Sequence, residues 1–162
     1  MFNAAGHPSI LEPHGLALSD DRRPDGVTVS AFEGGLFAAW DATVTHTYAP
    51  SHLRIALVGP GALADHKSER KIAKYGDLSD RFDVSPFAVE TLGAMSKTVR
   101  DLTDTLARTA VDVSHCTNAR SLYYRRIAVA VQAGNARAII EAHSQASSNI
   151  NLLIHFPFNI YF

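Results

Sequence analysis

The chain has almost no cysteine, no marked excess of either charge and no long apolar run, and each shortage removes a class of protein. Its single cysteine, Cys116, excludes an internal disulfide and any cysteine-rich zinc centre, and reads as a small buried or half-buried side chain. Fifteen Lys and Arg against sixteen Asp and Glu leave a formal net charge of -1, so there is no global basic signature of nucleic-acid binding. No stretch approaches the ~18 consecutive apolar residues of a membrane-crossing helix, and no apolar region follows a basic start as in a secretory signal. His-Glu-x-x-His, Gly-x-Ser-x-Gly and Gly-x-x-x-x-Gly-Lys are all missing, which removes the usual signatures of zinc hydrolases, serine hydrolases and nucleotide-phosphate loops. The eight histidines are scattered, and the pair His46 and His52, six apart, reads as ordinary surface or hydrogen-bonded imidazoles. These readings describe an intracellular protein without a membrane partner.

Against those absences, 162 residues that are 46% hydrophobic and 19% charged are enough for one domain with a real core. We expect that domain over residues 1–143. Residues 144–162 change character: they are Ser/Asn-rich, then apolar, with no Lys, Arg, Asp or Glu. Such a tail is an added edge strand, an aggregation-prone segment or sequence outside the evolved domain, and we take the last reading.

The stretch that organises the rest is 22–41. Val27, Val29 and Ala31 alternate with Thr28, Ser30 and Phe32, the pattern of a strand. Residues 36–40 continue as an apolar strand, which makes Gly34-Gly35 a hairpin turn. Asp25 opens the first strand and Asp41 ends the second, so antiparallel pairing brings the two carboxylates together. A carboxylate pair of this kind can hold a hard divalent cation; the plainer alternative is a Pro-Asp-Gly turn and an Asp that starts a loop.

Upstream, residues 11–16 suggest a short edge segment; downstream, Ser51 could cap a short helix over 51–58 that Gly59-Pro60-Gly61 breaks. From Ala62 the spacing turns helical, with Leu63, Ile72 and Tyr75 near one face and Gly76 as the stop. Lys71 and Lys74 are surface neighbours there, either solvated or functional. Residues 82–93 read as a third strand, in which Glu90 points to solvent or joins the aspartates. Ser96 caps an amphipathic helix over 97–110 with Val99, Leu102, Thr103 and Leu106 on one side. Residues 118–143 form a second long helix with a break at Gly134-Asn135. Arg120, Arg125, Arg126 and Arg137 make it basic, which suits either a phosphate backbone beside a metal site or a solvated face. The order of elements predicts an α/β fold in which helices cover a small mixed sheet.

Arg23-Pro24-Asp25-Gly26, then Asp41-Ala42-Thr43-Val44 sixteen positions on, then Lys71-Ile72-Ala73-Lys74-Tyr75, resembles the PD-(D/E)XK nuclease superfamily. The likeness is nearest to the restriction-like endonuclease domain that follows the reverse transcriptase in some site-specific non-LTR retrotransposons. Val89-Glu90-Thr91-Leu92-Gly93 and the run 126–136 look like segments of retroelement-derived proteins. The resemblance covers about residues 12–142 and implies a restriction-endonuclease-like sheet and a DNA endonuclease dependent on Mg2+ or Mn2+, expected in the nucleus. It implies Asp25 and Asp41 as metal ligands, Lys71 as the catalytic lysine, Lys74 as a phosphate contact or alternative lysine, and Tyr75 as mainly a packing residue. The sequence departs from the pattern where Thr43 stands at the usual lysine position, so the lysine has moved to the helix. Glu12 is the sole candidate for the acidic residue that many members carry earlier, and it is expected outside that geometry. The reverse transcriptase and zinc knuckle that normally precede this domain, and that would bring it to an RNA–DNA intermediate, are not in the sequence. The resemblance thus describes a detached, N-terminally truncated domain, with an inactive retroelement remnant or a nucleic-acid-binding module as the alternative.

Overall fold

A computed structural model describes residues 1–14 and 23–148. Four strands form one mixed sheet in sequence order: β1 (Ser9–Leu11), β2 (Gly26–Thr28), β3 (Phe37–Thr45) and β4 (Phe82–Glu90). The first two junctions are antiparallel and β3 runs parallel to β4. A parallel pair needs a crossover, and it is made by α1 (Leu53–Ala56) and α2 (Ala62–Lys74). Two further helices follow, α3 (Lys97–Ser114) and α4 (Ala119–Ser148). The α/β fold with helices covering a small mixed sheet is the one expected. Among the described residues no helix is long and apolar enough to cross a membrane.

The hairpin is wider than its pattern predicts. β2 ends at Thr28 instead of continuing to Phe32, because the Thr28 hydroxyl accepts the Ala38 N–H at 3.0 Å and takes the place of a ladder carbonyl. Phe32 then packs edge-on against Phe2, with ring centroids 6.0 Å apart. Gly34 and Gly35 do make the turn, both at positive φ (62° and 81°), where L side chains are strained. β3 extends past Asp41 to Thr45, since β4 pairs with it from Phe37 opposite Phe82 through Thr45 opposite Glu90. Asp41 is therefore in the middle of a strand, not at its end.

Alternation along β3 and β4 divides the core into two. Ala38, Trp40, Phe87 and Val89 face α3 and α4, and Phe2 stacks on Trp40 at 4.2 Å. Val27, Ala39 and Phe82 join Tyr75 and Leu78 in a smaller cluster on the α2 side. Asp25 and Asp41 have the parity of Val27 and Ala39, so both belong to this second face.

The helices follow their sequence signals with local corrections. The Ser96 hydroxyl accepts the Val99 N–H as a cap, and Val99, Leu102, Thr103 and Leu106 are buried as expected, though α3 runs on to Ser114. The segment expected to be capped by Ser51 reduces to α1, which follows His52 and has no side-chain cap. On α2, Leu63 and Tyr75 are buried but Ile72 is exposed. α4 passes through Gly134 and Asn135 without a break, and Asn135 Nδ2 reaches the Thr91 carbonyl at 2.7 Å. Among the described side chains of α4, the line Ala119, Tyr123, Ile127 and Val131, spaced by four, is the one that enters the core. The expected domain boundary at 143 falls inside this helix, and the remainder of the expected tail, 149–162, lies outside the described residues, as do residues 15 and 16 of the expected edge segment.

Candidate functional site

The site grows from the β2–β3 register. Gly26 pairs with Trp40, which sets Asp25 beside Asp41 on the α2 face. Asp25 Oδ2 accepts the backbone N–H of Ala42 at 2.6 Å, so the carboxylate continues the sheet where the strand pairing stops. Asp41 is only 6% exposed, and both of its oxygens are engaged. Lys71 Nζ donates to Oδ1 at 2.6 Å, and the Tyr75 hydroxyl donates to Oδ2 at 2.7 Å. Lys71 and Tyr75 are four apart on α2 and its cap, so one helical line delivers both donors to the same carboxylate.

Tyr75 does more than pack. It is 1% exposed, its oxygen also lies 3.2 Å from the Arg23 carbonyl, and Lys74 Nζ donates to it at 3.2 Å. Lys74 also sits over the Tyr75 ring, 4.7 Å from the centroid. The structure thus brings Asp25, Asp41, Lys71 and Lys74 together, with Lys71 joined directly to Asp41 and Tyr75 linking Asp41 to Lys74. Sequence reading missed that link, because helical spacing shows that Tyr75 faces inward and not where its hydroxyl ends. Glu12 is closer than expected: its N–H donates to the Asp25 carbonyl at 2.9 Å, and its carboxylate pairs with Arg23 at 3.3 Å.

The expectation for Glu90 fails, and of the two readings of the basic helix the solvated face is the one found, with Arg120, Arg125, Arg126 and Arg137 all exposed. Glu90 neither points to solvent nor joins the aspartates. It is 2% exposed, accepting from the Thr47 hydroxyl at 3.2 Å and the Ala64 N–H at 3.4 Å, and so caps the first turn of α2. The basic helix does not lie beside the carboxylates. The buried line of α4 joins the Trp40 and Phe87 cluster on the opposite face, and Arg120 is held by Asp104 at 2.8 and 3.2 Å. That guanidinium, bonded to Asp104, keeps the Asp104 carboxyl below its ordinary range.

Asp25 behaves differently. Burial of its carboxylate is the leading cause that pushes its pKa up. The Ala42 N–H opposes this, Asp41 adds like-charge repulsion, Lys71 opposes in turn, and Glu12 repels. With a folded pKa above the unfolded value, the native state binds more protons in the interval between them. The contribution of Asp25 to stability is then fully present below the unfolded pKa and is lost as pH rises through the folded one. Asp25→Asn, which keeps an acceptor for Ala42, should therefore raise Tm at pH 7, and the gain should fade on acidification below the ordinary carboxylate range. Water screening of a side chain that remains exposed keeps the rise to no more than ~2–4 °C. Thermal melts of both proteins at pH 7 and pH 3.5 check this; a lower Tm for the variant at pH 7 would refute it.

Among the described residues no group of three or more His, Cys, Asp or Glu side chains forms a metal cage. The donor set at Asp25 and Asp41 nevertheless suits Mg2+, which takes one or two carboxylates and fills its remaining positions with waters and substrate phosphate. Each carboxylate oxygen has two lone pairs, so the contacts to Ala42, Lys71 and Tyr75 leave capacity for a cation. The chain matches no protein-family model and no curated protein.

Proposed function

We propose that the chain is a metal-dependent DNA endonuclease of restriction-endonuclease-like fold, derived from a retroelement and acting by phosphodiester hydrolysis. The observation that carries this reading is the Asp25–Asp41 pair on one sheet face with Lys71 Nζ 2.6 Å from Asp41. The meander leading into a parallel β3–β4 pair, joined by the lysine-bearing helix, supports the same reading. Mg2+ or Mn2+, held by Asp25 and Asp41, would supply positive charge at the attacked phosphate and lower the pKa of a bound water. Lys71 then has two tasks. At rest its ammonium neutralises Asp41; with substrate present the same donor reaches a non-bridging phosphate oxygen or the attacking water, where negative charge develops. Lys74 contacts the phosphate backbone, and Tyr75 keeps Asp41 in one rotamer. DNA is the partner, with an RNA–DNA intermediate reached through upstream domains, and the nucleus is the compartment that this substrate implies.

A second reading, a nucleic-acid-binding module without catalysis, draws on the engagement of both Asp41 oxygens by Lys71 and Tyr75. Plasmid nicking with Mg2+ or Mn2+ separates the two. Wild type should nick, and Asp25→Ala and Lys71→Ala, with folds verified by circular dichroism, should lose about 100- to 1,000-fold, the usual cost of removing one preorganised charge-stabilising group. Undiminished cleavage by either variant would sink the nuclease reading. A folded wild type that binds DNA but never nicks it would leave the second.

A further inference from the structure

A second polar cluster lies farther along the same face of β3 and does not share a residue with the carboxylate site. His52 Nδ1 lies 2.9 Å from the His46 carbonyl, which can only accept, so Nδ1 carries the proton and Nε2 presents a lone pair. Lys67 Nζ donates to that lone pair at 3.2 Å. The Thr45 hydroxyl flanks Nδ1 at 3.5 Å. Lys67 and His52 are both half-buried, and no carboxylate among the described residues forms an ion pair with Lys67. Nearby Glu90 is already engaged by Thr47 and Ala64, and Asp65 Oδ1 accepts the Lys97 N–H. A half-buried ammonium held by a neutral imidazole, with no counter-anion, is a site that an anion would complete.

Its position says which anion. Lys67 precedes Lys71 by four residues on α2, a rise of about 6 Å on the same side of the helix. Thr45 follows Asp41 by four residues on β3, on the same sheet face, so the two clusters form one track between α2 and β3. β2 pairs with β3 only at Ala39 and Trp40, and Ala42, Thr43 and Val44 beyond them are half-buried. Successive phosphates on one strand rise about 3.4 Å along a duplex axis and lie farther apart than that along the sloping backbone. The lysines leave the helix about 6 Å apart and their strand-side partners lie about 13 Å apart, a range that includes the separation of neighbouring phosphates.

We propose that Lys67 and His52 form a subsite for the phosphodiester adjacent to the one at Lys71, an assignment that rests on the endonuclease reading. When the phosphate oxygens arrive, Lys67 turns from His52 to the anion, and His52 takes a proton on Nε2 and becomes a second donor while Nδ1 stays on His46. Binding is then tighter at pH 6 than at pH 8. The groups in contact with His52 are Lys67 from α2 and Thr45 and His46 from β3 and the loop that follows it.

Two measurements on the full chain test the subsite. The first is titration with inorganic phosphate, followed through the His52 ring nitrogens by NMR. The second is the salt dependence of duplex DNA binding, by fluorescence anisotropy without divalent metal. Phosphate should shift the His52 Nε2 resonance and raise its titration midpoint. Lys67→Gln, which keeps a donor for His52 and drops the charge, should abolish both responses and reduce the slope of log K against log salt by ~0.9, with Lys67→Arg restoring it. If wild type binds and nicks DNA while Lys67→Gln leaves the slope unchanged, the subsite is refuted and the nuclease stands. If the slope falls as expected but wild type never nicks, the subsite stands and the nuclease reading fails. A phosphate response without DNA binding assigns the pair to free phosphate and overturns the phosphodiester proposal; no response in either measurement overturns both.

Discussion

Asp41→Asn is expected to fold with nearly unchanged stability and to lose metal-dependent nicking, whereas Asp41→Ala should lose both the nicking and about 2–4 kcal/mol of stability. The difference follows from what Asp41 holds. Lys71 Nζ and the Tyr75 hydroxyl each have a contact under 3 Å with it, at a side chain that is almost fully buried. Asparagine keeps an oxygen acceptor for Lys71, and its amide N–H donates to the Tyr75 oxygen while the phenol proton turns to the Arg23 carbonyl 3.2 Å away, so neither donor is orphaned. It removes the negative charge that a divalent cation requires. Alanine leaves the ammonium and the phenol facing a small void, and the cost of stranding two buried donors exceeds the loss of the bonds themselves. Lys71 retains 26% exposure, which lets water recover part of its share and places the total below that of a fully buried ion pair. In thermal melts the alanine variant should fall by roughly 5–15 °C, with the asparagine variant within a few degrees of wild type. Equal melting temperatures for the two would mean that the contacts to Lys71 and Tyr75 carry little energy. Nicking by Asp41→Asn at the wild-type rate would remove Asp41 from any metal site.

The parts of this site that were legible in the sequence are those set by local rules. Alternation before a Gly-Gly turn is enough to expect a hairpin carrying Asp25 and Asp41, but not its register: a two-residue turn would set Asp41 beside Thr28, and the wider connection found after Thr28 is what sets it beside Asp25. The helical repeat from Ala62 to the stop at Gly76 is enough to place Lys71 on a helix. What remained hidden depends on side-chain termini and on partners distant in sequence. The Tyr75 hydroxyl reaches Asp41, 34 residues away, and Lys67 reaches His52, 15 residues away. Glu90 looked like a solvent-facing interruption in an apolar run, but the crossover brings the first turn of α2 over it, and the unpaired N–H of Ala64 makes burial of an acid tolerable. The long C-terminal helix misled for a related reason. Its apolar residues are spread around the axis, so periodicity did not distinguish the buried line of Tyr123, Ile127 and Val131 from Ile139 and Ile140, which are 71% and 64% exposed. Nor did it show that Arg120 is consumed by Asp104 on the neighbouring helix.

Gly26→Ala should be the most damaging single methyl group that can be added near the site. A Cβ at position 26 would lie 2.1 Å from Trp40 Cζ2 and 2.5 Å from Cε2, far inside van der Waals contact. The indole has little room to retreat, since it is buried and stacked on Phe2 at 4.2 Å, with Ala38 and Phe87 in the same cluster. Either the ring leaves its rotamer or β2 moves off β3. Overpacking of this kind costs typically about 1–3 kcal/mol, or ~3–10 °C in Tm for a chain of this size. The second route has a further consequence. Gly26 is the residue after Asp25, and the separation of Asp25 from Asp41 is set by the pairing of Gly26 with Trp40, so the variant should lose nicking out of proportion to its stability. Trp40→Leu measures the coupling, because it takes away the atoms that the new methyl meets. Destabilisation by the two substitutions together should be smaller than the sum of the separate effects by about 1 kcal/mol or more, as for residues in direct contact. Additive losses would show that the cost of Gly26→Ala lies in the backbone instead of the indole, and the close approach of Trp40 to the strand carrying Asp25 would no longer explain why that position is glycine.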